Sequence, residues 1–568
     1  MMNSDEQYNS SGAALLEEPP QWEEAHLDDP VTRTVKNPNL QEGVQDKLHS
    51  RARFSPWVVA IVVTIGTFME VLDTSIANVA LPHIAGSLSA SQDEGSWVLT
   101  SYLVANAIVL PISGWISSVM GRKRFYLTSV FFFTVFSACC GLVPSLGLLI
   151  LFRVLQGLAG GGLQPSVQAI LSDTFSAQQR GMAMALYTIA ILVAPVLGPT
   201  LGGWITDNYS WRWIFYINIP VGLLCVFLTR MVLEDPAQMT AKRLAMKGKK
   251  LRVDWTGLSL LSLGLATLEI VLDKGQELDW FGSHLILSFA AIAAFSLVSV
   301  FIWEWKHKTP IVNVKLLKER NFLFCCILIL ALYAVLYSTT YLLPLYMQQM
   351  MNYTATTSGF ALSPAGIFTM IEVPFVGYVL TKGMDPRKLI FGGVALIGSS
   401  CWWMGSMNLQ VSEIYLILPR IVQVLGVGMT TVPISTIVFR FLPKSESSQA
   451  AGIYALVRNE GGSIGIALSS TMLQRRAQLF QQTLGEHITA SSTAVQQFMG
   501  GAASVPGNSA DGHYKAMAQL YVGLQQQASL LSYMDQFRSL AGVMLLLLPL
   551  IFLLKRPPVQ KHIELDAH

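Results

Sequence analysis

Fourteen long apolar blocks divide the chain, a pattern typical of a protein whose helices cross a lipid bilayer many times. A spanning helix needs about 20 mostly apolar residues, and backbone groups inside a bilayer must bond within their own segment. Hydrophobic residues make up 52% of the 568 residues and charged residues only 13%. The sequence therefore predicts an all-α membrane protein with 14 transmembrane helices. The blocks lie near residues 57–81, 97–119, 125–143, 147–171, 182–206, 211–233, 255–273, 284–305, 322–348, 357–380, 388–408, 412–439, 451–472 and 539–554.

Lysine and arginine residues cluster in alternate loops between these blocks, as they do in the cytoplasmic loops of membrane proteins. The opposite short loops hold only Arg212 and Lys274. We therefore expect both termini to be cytoplasmic. The formal net charge of +3 is too small to indicate a nucleic-acid partner. The basic clusters lie at residues 122–124, 242–252, 306–320, 382–388, 444 and 555–556.

Two sets of six blocks repeat one another. The fourth block contains RVLQG from Arg153, and the twelfth contains RIVQV from Arg420, 267 residues later. Duplicated halves are common in secondary transporters, so we predict two six-helix bundles with the seventh and eighth helices inserted between them. Two further pairs of segments repeat in the same order at a similar offset: 194–203 with 460–468, and 114–124 with 377–388.

The remaining segments are the tails, a basic linker and one long outer loop, and together with the apolar blocks they give a predicted domain plan. The long outer loop, residues 474–537, is compatible both with a tolerated surface insertion and with a docking surface. The plan comprises a disordered cytoplasmic N-terminal tail (1–54), an N-terminal bundle (55–235), a basic linker with two extra helices (236–320), a C-terminal bundle that includes the periplasmic loop 474–537 (321–556), and a cytoplasmic C-terminal tail (557–568).

Two acidic residues, Glu70 and Asp73, lie in the first block and share a helix face. At the bilayer centre an acid costs roughly 2.5–3.5 kcal/mol on insertion scales, so it persists mainly beside a partner or a watery cavity. Arg153 is the candidate partner, because its guanidinium favours the ionised acid while desolvation favours the protonated form. We predict a proton-coupling group of Asp73, Arg153 and Glu70; a permanently closed structural ion pair is the alternative.

Other charged residues are embedded in the second half of the chain. Glu372 in the tenth block, the Arg458/Glu460 pair in the thirteenth and Arg420 in the twelfth are the candidates for a second-half polar cavity. Glu269 lies in the inserted pair of helices, where we expect a peripheral position.

Small residues recur every four positions in the fifth block, and two prolines there remove backbone hydrogen bonds. This pattern predicts a bent helix with a flat face that can pivot. The hinge residues are Ala194, Pro195, Gly198, Pro199, Gly202 and Gly203.

The loop after the second block combines two glycines with a basic cluster. It anchors the topology and is also a candidate latch whose contacts differ between transport states. Its residues are Gly114, Gly121, Arg122, Lys123 and Arg124.

Several kinds of chemistry are excluded by what the sequence lacks. It contains no GxxxxGK[ST] motif for ATP, and its nine histidines form no HExxH pairing. The six cysteines lie inside apolar blocks without zinc-site spacing. We therefore expect no enzyme activity, no metal and no cofactor, and an ion gradient as the energy source.

The chain resembles the major facilitator superfamily, and specifically its drug:proton antiporters with fourteen spans. The resemblance rests on LDTSIANVALP (72–82), FRVLQGLAGG (152–161) and the antiporter motif APVLGPTLGG (194–203), and it covers about residues 55–556. The segment LDKGQELDWF (272–281) and the long loop resemble EmrB-type exporters. Ser118 stands where the family's loop motif has an Asp, followed by Val119 in place of a basic residue.

The resemblance implies export of hydrophobic or amphiphilic toxins against inward proton flow across a bacterial inner membrane. It also implies a tripartite assembly with a membrane-fusion adaptor and a TolC-like outer-membrane channel. The family's acid falls on Asp73 and its arginine on Arg153. Alternatives are a dedicated siderophore or metabolite exporter of the same fold, and a non-transporting membrane scaffold or sensor.

Overall fold

The computed structural model describes residues 54–176, 179–234, 254–307, 310–353, 355–443, 446–489, 492–493, 495–497 and 509–555. Within these ranges every regular element is a helix. The helices are α1 (Pro56–Ser87), α2 (Gln92–Met120), α3 (Arg122–Leu142), α4 (Leu146–Gly160), α5 (Leu163–Thr174), α6 (Arg180–Asn208), α7 (Trp213–Tyr216), α8 (Asn218–Val232), α9 (Trp255–Lys274), α10 (His284–Lys306), α11 (Arg320–Met350), α12 (Ala355–Thr381), α13 (Pro386–Met404), α14 (Glu413–Ile437), α15 (Ser447–Glu486), α16 (Ser509–Leu546) and α17 (Leu548–Ile551), with 3-10 turns at Trp280–Gly282 and Val314–Lys318.

Eleven helical segments in the described ranges are long and apolar enough to cross a membrane. The α4–α5, α7–α8 and α16–α17 pairs each make one such segment, and α6 makes a twelfth despite its bend of 42°. The two remaining long helices, α13 and α15, coincide with the other predicted blocks. The helices are thus consistent with the fourteen predicted spans.

The helices pack as two bundles with a pair beside them. In the first bundle α1 packs on α6 and α8, α2 on α4, and α3 on α4 and α8. In the second, α11 packs on α15, α13 on α14 and α16, and α12 on α14. The bundles meet where α6 packs on α12 and α2 on α15, while the inserted helix α9 packs on α10, α2 and α15.

The long predicted loop is largely a continuation of the two helices that flank it. α15 runs to Glu486 and α16 begins at Ser509, and the two are joined by Arg476 Nε to Asp535 Oδ2 (3.2 Å) and by the hydroxyl of Ser532, which donates to the carbonyl of Leu473 (2.6 Å). α15 and α16 thus extend together beyond their apolar blocks and form a helical hairpin. Several predicted segments lie wholly or mostly outside the described residues: the tail 1–54 except for Phe54, the tail 557–568, the basic connector 242–252 and most of the loop tip 504–512.

Candidate functional site

Asp73 is buried and accepts hydrogen bonds from three side chains of two other helices. Arg153 Nη1 donates to Oδ2 (2.7 Å), while Gln156 Nε2 (3.1 Å) and Asn218 Nδ2 (2.6 Å) donate to Oδ1. The side chains of Asp73 and Arg153 are 1% and 0% exposed. Asn218 is held in turn by donating to Ser137 Oγ (3.0 Å). The carboxylate is therefore fully paired in this conformation, as a buried charge must be.

The position of Arg153 depends on the close approach of α4 to α2. A side chain at Gly157 would meet the carbonyl oxygen of Tyr102 at 2.5 Å, and one at Gly161 would meet that of Asn106 at 2.6 Å. Glycines at these positions let the two backbones touch. Arg153 can then donate from Nε to the carbonyl of Val98 (3.0 Å) and lie over the ring of Tyr102, 4.3 Å from its centroid.

Glu70 lies one turn from Asp73 but in a different environment. It is 3% exposed, and Oε1 accepts a bond from Asn106 Nδ2 (3.1 Å). Among the described residues Oε2 has no hydrogen-bond partner. Gln164 and the more distant charge of Arg458 are the other polar groups that act on Glu70. The two acids of the predicted group therefore differ: Asp73 forms an ion pair with an arginine, whereas only one carboxylate oxygen of Glu70 accepts a hydrogen bond.

The repeat places a matching arginine in the second half without a matching acid. Arg420 Nη1 donates to Gln423 Oε1 (2.6 Å), as Arg153 Nη1 does to Gln156 Oε1 (2.9 Å). At the place that Asp73 holds in the first half, Arg420 instead contacts two hydroxyl groups. Its Nη1 donates to Thr339 (2.9 Å) and its Nη2 to Thr340 (2.7 Å). Arg420 thus keeps an uncompensated charge among the described residues.

Arg420 lines a cavity between the two bundles. The cavity lies among α6 of the first bundle and α11, α12 and α14 of the second, and its volume is about 90 Å³. Its walls are mainly apolar and aromatic, which suits a hydrophobic ligand with a small polar group. The lining residues are Ile191, Leu192, Pro195, Tyr333, Leu336, Tyr337, Thr340, Pro344, Gly359, Leu362, Arg420, Val424 and Val427.

The other three residues predicted for the second-half cavity lie elsewhere. Arg458 donates to the hydroxyl of Tyr187 on α6 (2.8 Å). Glu460 faces Glu269 instead of pairing with Arg458, because residues two apart on a helix point to different sides. The carboxylate of Glu372 fills the space over Gly428, where an added side chain would meet its Oε2 at 1.9 Å. Glu269 is 1% exposed, so the expected peripheral position for it was wrong.

The predicted hinge residues bring α6 against α1 beside Asp73. The hydroxyl of Ser75 donates to the carbonyl of Pro195 (3.2 Å), and side chains added at Gly198 and Gly202 would meet Ser75 Oγ at 2.1 Å and the carbonyl oxygen of Ile76 at 3.2 Å. Ala194 is buried, whereas Gly203 faces open space. The side chain of Pro199 lies outside the described residues. The 42° bend falls between Pro195 and Thr200.

In the basic loop, one residue of the cluster reaches across to the other bundle. Gly121 has a φ of 90°, a conformation that favours glycine, and Gly114 is buried before it. Arg122 is 2% exposed; it pairs with Asp173 and donates to Ser447 Oγ on α15 (3.1 Å). Lys123 Nζ donates to the carbonyl of Arg230 (2.9 Å), and Arg124 is exposed.

Several polar residues of the site were missed by sequence reasoning. Asn218, Asn106 and Ser447 are neutral and far from their partners in the chain, so neither charge nor spacing marks them. Thr340 could have been found, because it stands 267 residues after Asp73, the same offset that relates Arg153 to Arg420.

The chain is similar in sequence to a known family of membrane proteins. The profile of the Major Facilitator Superfamily matches residues 63–466. The chain belongs to this superfamily. It is 36% identical over 442 residues to the multidrug export protein EmrB of Haemophilus influenzae, covering 78% of this chain and 85% of that protein. It is 34% identical over 439 residues to the fatty acid resistance protein FarB of Neisseria gonorrhoeae, covering 77% and 85%.

A solved transporter structure has the same fold. The human organic anion transporter MFSD10 (TETRAN) matches with a TM-score of 0.56 and 13% identity, covering 88% of this chain and all of that one. The protein is thus a multi-pass major facilitator transporter, non-enzymatic like the rest of the superfamily, and it is related to multidrug exporters.

Proposed function

We propose that the protein is a proton-coupled antiporter that exports hydrophobic or amphiphilic compounds across the bacterial inner membrane by alternating access. The observation that carries this proposal is the buried Asp73, whose carboxylate is held by Arg153, Gln156 and Asn218. A proton that reaches Asp73 removes the charge that binds Arg153 and so opens the pair. Each proton contributes about 2.3 kcal/mol per 100 mV of membrane potential.

The hinge contact provides a path from this proton to the cavity. α1 carries Asp73 and, two residues later, Ser75, which bonds to Pro195 of α6. Pro195 also lines the cavity. A change in the Asp73 pair therefore reaches the cavity wall through one helix contact.

The contacts between the bundles support assigning this conformation to the outward-facing state. The bundles close on each other at the Arg122 end, where a side chain at Gly377 would meet Met182 at 3.2 Å and one at Gly452 would meet the carbonyl of Leu110 at 2.9 Å. The excess of lysine and arginine at this end supports a cytoplasmic position for it and for both termini. The cavity then serves substrate release to the outside.

The charge of Arg420 narrows the class of substrate. An apolar cavity with one uncompensated guanidinium suits an amphiphile with an acidic head, because a charge-assisted hydrogen bond orients the head while the tail contacts the aromatic wall. The names of the relatives, multidrug export protein EmrB and fatty acid resistance protein FarB, agree with a broad range that includes such compounds. A dedicated siderophore or metabolite exporter would instead transport one compound class and none of these amphiphiles.

We also propose that the α15–α16 hairpin docks a membrane-fusion adaptor, which connects the transporter to a TolC-like outer-membrane channel. The hairpin extends both helices beyond their apolar blocks, which supports a surface for a partner outside the membrane. Deleting residues 504–512 should weaken recovery of the adaptor in pull-down while leaving substrate binding intact. Unchanged adaptor recovery would favour a tolerated insertion.

The coupling proposal is tested by Asp73→Asn in proteoliposomes. We expect the variant to bind substrate but to lose substrate-driven proton release, because asparagine is neutral in both states. Asp207→Asn is the matched control, because this substitution makes the same chemical change outside the site. The side chain of Asp207 is 59% exposed. Proton release equal to that of the unmodified protein would remove Asp73 from the coupling role and favour a structural ion pair.

A further inference from the structure

Two carboxyl groups outside the Asp73 site face each other inside the protein. Glu269 of α9 and Glu460 of α15 are 1% and 7% exposed, and their side chains are in hydrogen-bonding contact. Ser463 Oγ donates to Glu269 Oε1 (3.3 Å). Neither carboxylate oxygen of Glu460 has a donor among the described residues. The contact therefore joins two acceptors and lacks a hydrogen.

A single proton resolves this contact. Two ionised carboxylates in contact repel each other, and burial penalises both charges. With a proton on one oxygen the same contact becomes an O–H···O hydrogen bond. A hard metal cation would need about six oxygen ligands, but only Ser463 adds to the pair, and in the described ranges no three potential metal-ligating side chains lie together.

The charged groups on the surrounding helices do not neutralise the pair. Asp273 adds a further negative charge to the environment of Glu269. Several charged groups on α9, on α15 and on the helices packed against them have other neighbours: Lys274 bonds to Ser96 and Glu277, Arg458 to Tyr187, Glu304 to the N–H of Ile311, and Asp535 to Arg476.

The pair also lies across the seam between the two halves. α9 is attached to α2 of the first bundle, because Asp273 accepts a hydrogen bond from Thr100 and Lys274 donates one to Ser96. Glu460 belongs to α15 of the second bundle, which packs directly on α2. A bond between Glu269 and Glu460 therefore connects elements that alternating access would move apart.

We propose that Glu269 and Glu460 form a proton-binding site that holds one shared proton and joins the inserted helix α9 to α15 across the seam. The site is separate from Asp73. It concerns proton binding and a helix contact, and it stands whether or not the protein exports drugs.

The proposal is tested by thermal unfolding of the purified full-length protein over a series of pH values. As the pH rises, loss of the shared proton sets two carboxylates against each other, so the unfolding midpoint of the unmodified protein should fall. In Glu460→Gln the amide N–H donates to Glu269 without an added proton. The fall should therefore shrink to less than half, and Glu269→Gln should behave alike.

Glu277→Gln is the matched control, because it makes the same charge change on the exposed end of the same segment and should keep the full pH dependence. A Glu460→Gln protein with the pH dependence of the unmodified protein would overturn the proposal.

A second measurement needs no variant at this pair. Dicyclohexylcarbodiimide reacts with protonated carboxyl groups in apolar surroundings, and mass spectrometry then locates the adduct in the unmodified protein. We expect an adduct on Glu269 or Glu460 at mildly acidic pH that declines as the pH rises. If neither residue is labelled at any pH, the proposal fails, even where the Gln variants do not fold.

Discussion

At the scale of single residues, the two halves share an Arg–Gln pair but differ in what the arginine binds. Asp73 neutralises Arg153, whereas Arg420 contacts the hydroxyl groups of Thr339 and Thr340. Arg153 is therefore suited to respond to protonation of its acid partner, and Arg420 is suited to bind a negatively charged group of a substrate.

The substrate role of Arg420 can be measured with two probes of equal length, a long-chain fatty acid and the corresponding fatty alcohol. Arg420→Gln should weaken binding of the acid roughly ten- to hundred-fold, because a hydrogen bond to a charged group contributes about 1.5–3 kcal/mol. Binding of the alcohol should change little, and Arg420→Lys should retain part of the preference. Equal losses for both probes would show that Arg420 only supports the fold.

The Asp73–Arg153 contact could be predicted from sequence, because charged residues in apolar blocks are costly and so require partners. The neutral residues that complete the site could not. Asn218 carries no charge that lipid would penalise strongly, and it lies 145 residues from Asp73. Only the folded chain brings α8 against α1.

At the scale of elements, α6 is the helix on which the two bundles and the Asp73 site converge. It packs on α1 through Gly198 and Gly202, and on α12 of the other bundle. Its periodicity and prolines predicted both a flat face and a bend, since these depend on local sequence. The inward position of Glu269 was not predictable, because periodicity within α9 does not reveal which neighbours the inserted pair packs against.

The flat face of α6 can be tested by adding one methyl group. Gly198→Ala places a carbon 2.1 Å from Ser75 Oγ. We expect this overpacking to cost about 1–3 kcal/mol and to push α6 away from α1. Transport should therefore fall sharply. Gly203→Ala is the control within the same helix, because nothing lies within 4 Å of the added carbon. Transport assays in proteoliposomes should separate the two; equal transport would argue against a close pivot.

At the scale of the whole molecule, Arg122 of the predicted latch loop connects the two bundles at one end. Arg122 joins α3 to α5 through Asp173 and to α15 through Ser447. The family's usual acid is absent at Ser118, whose hydroxyl donates to the carbonyl of Trp115 within its own helix (2.7 Å). At the predicted latch, the contact between the bundles thus runs from Arg122 to Ser447.

Removing this latch should shift the population toward the state open at the Arg122 end. Spin labels at Thr174 of α5 and Gln449 of α15 report the separation of the two bundles there. In an Arg122→Gln background we expect longer distances than in the otherwise unmodified protein. Arg124→Gln removes an exposed charge from the same cluster and should leave the distances unchanged. A distribution unaffected by Arg122→Gln would assign that residue to topology alone.

The unequal partners of Arg153 and Arg420 have a consequence for how such a protein can change over time. In the proposed mechanism the acid that pairs with an arginine is confined to one copy of the duplicated unit, so mutations in the other copy can alter the substrate range without disabling proton coupling. Variants selected for resistance to a new compound should therefore accumulate around α11, α12 and α14, while the neighbourhood of Asp73 stays as it is.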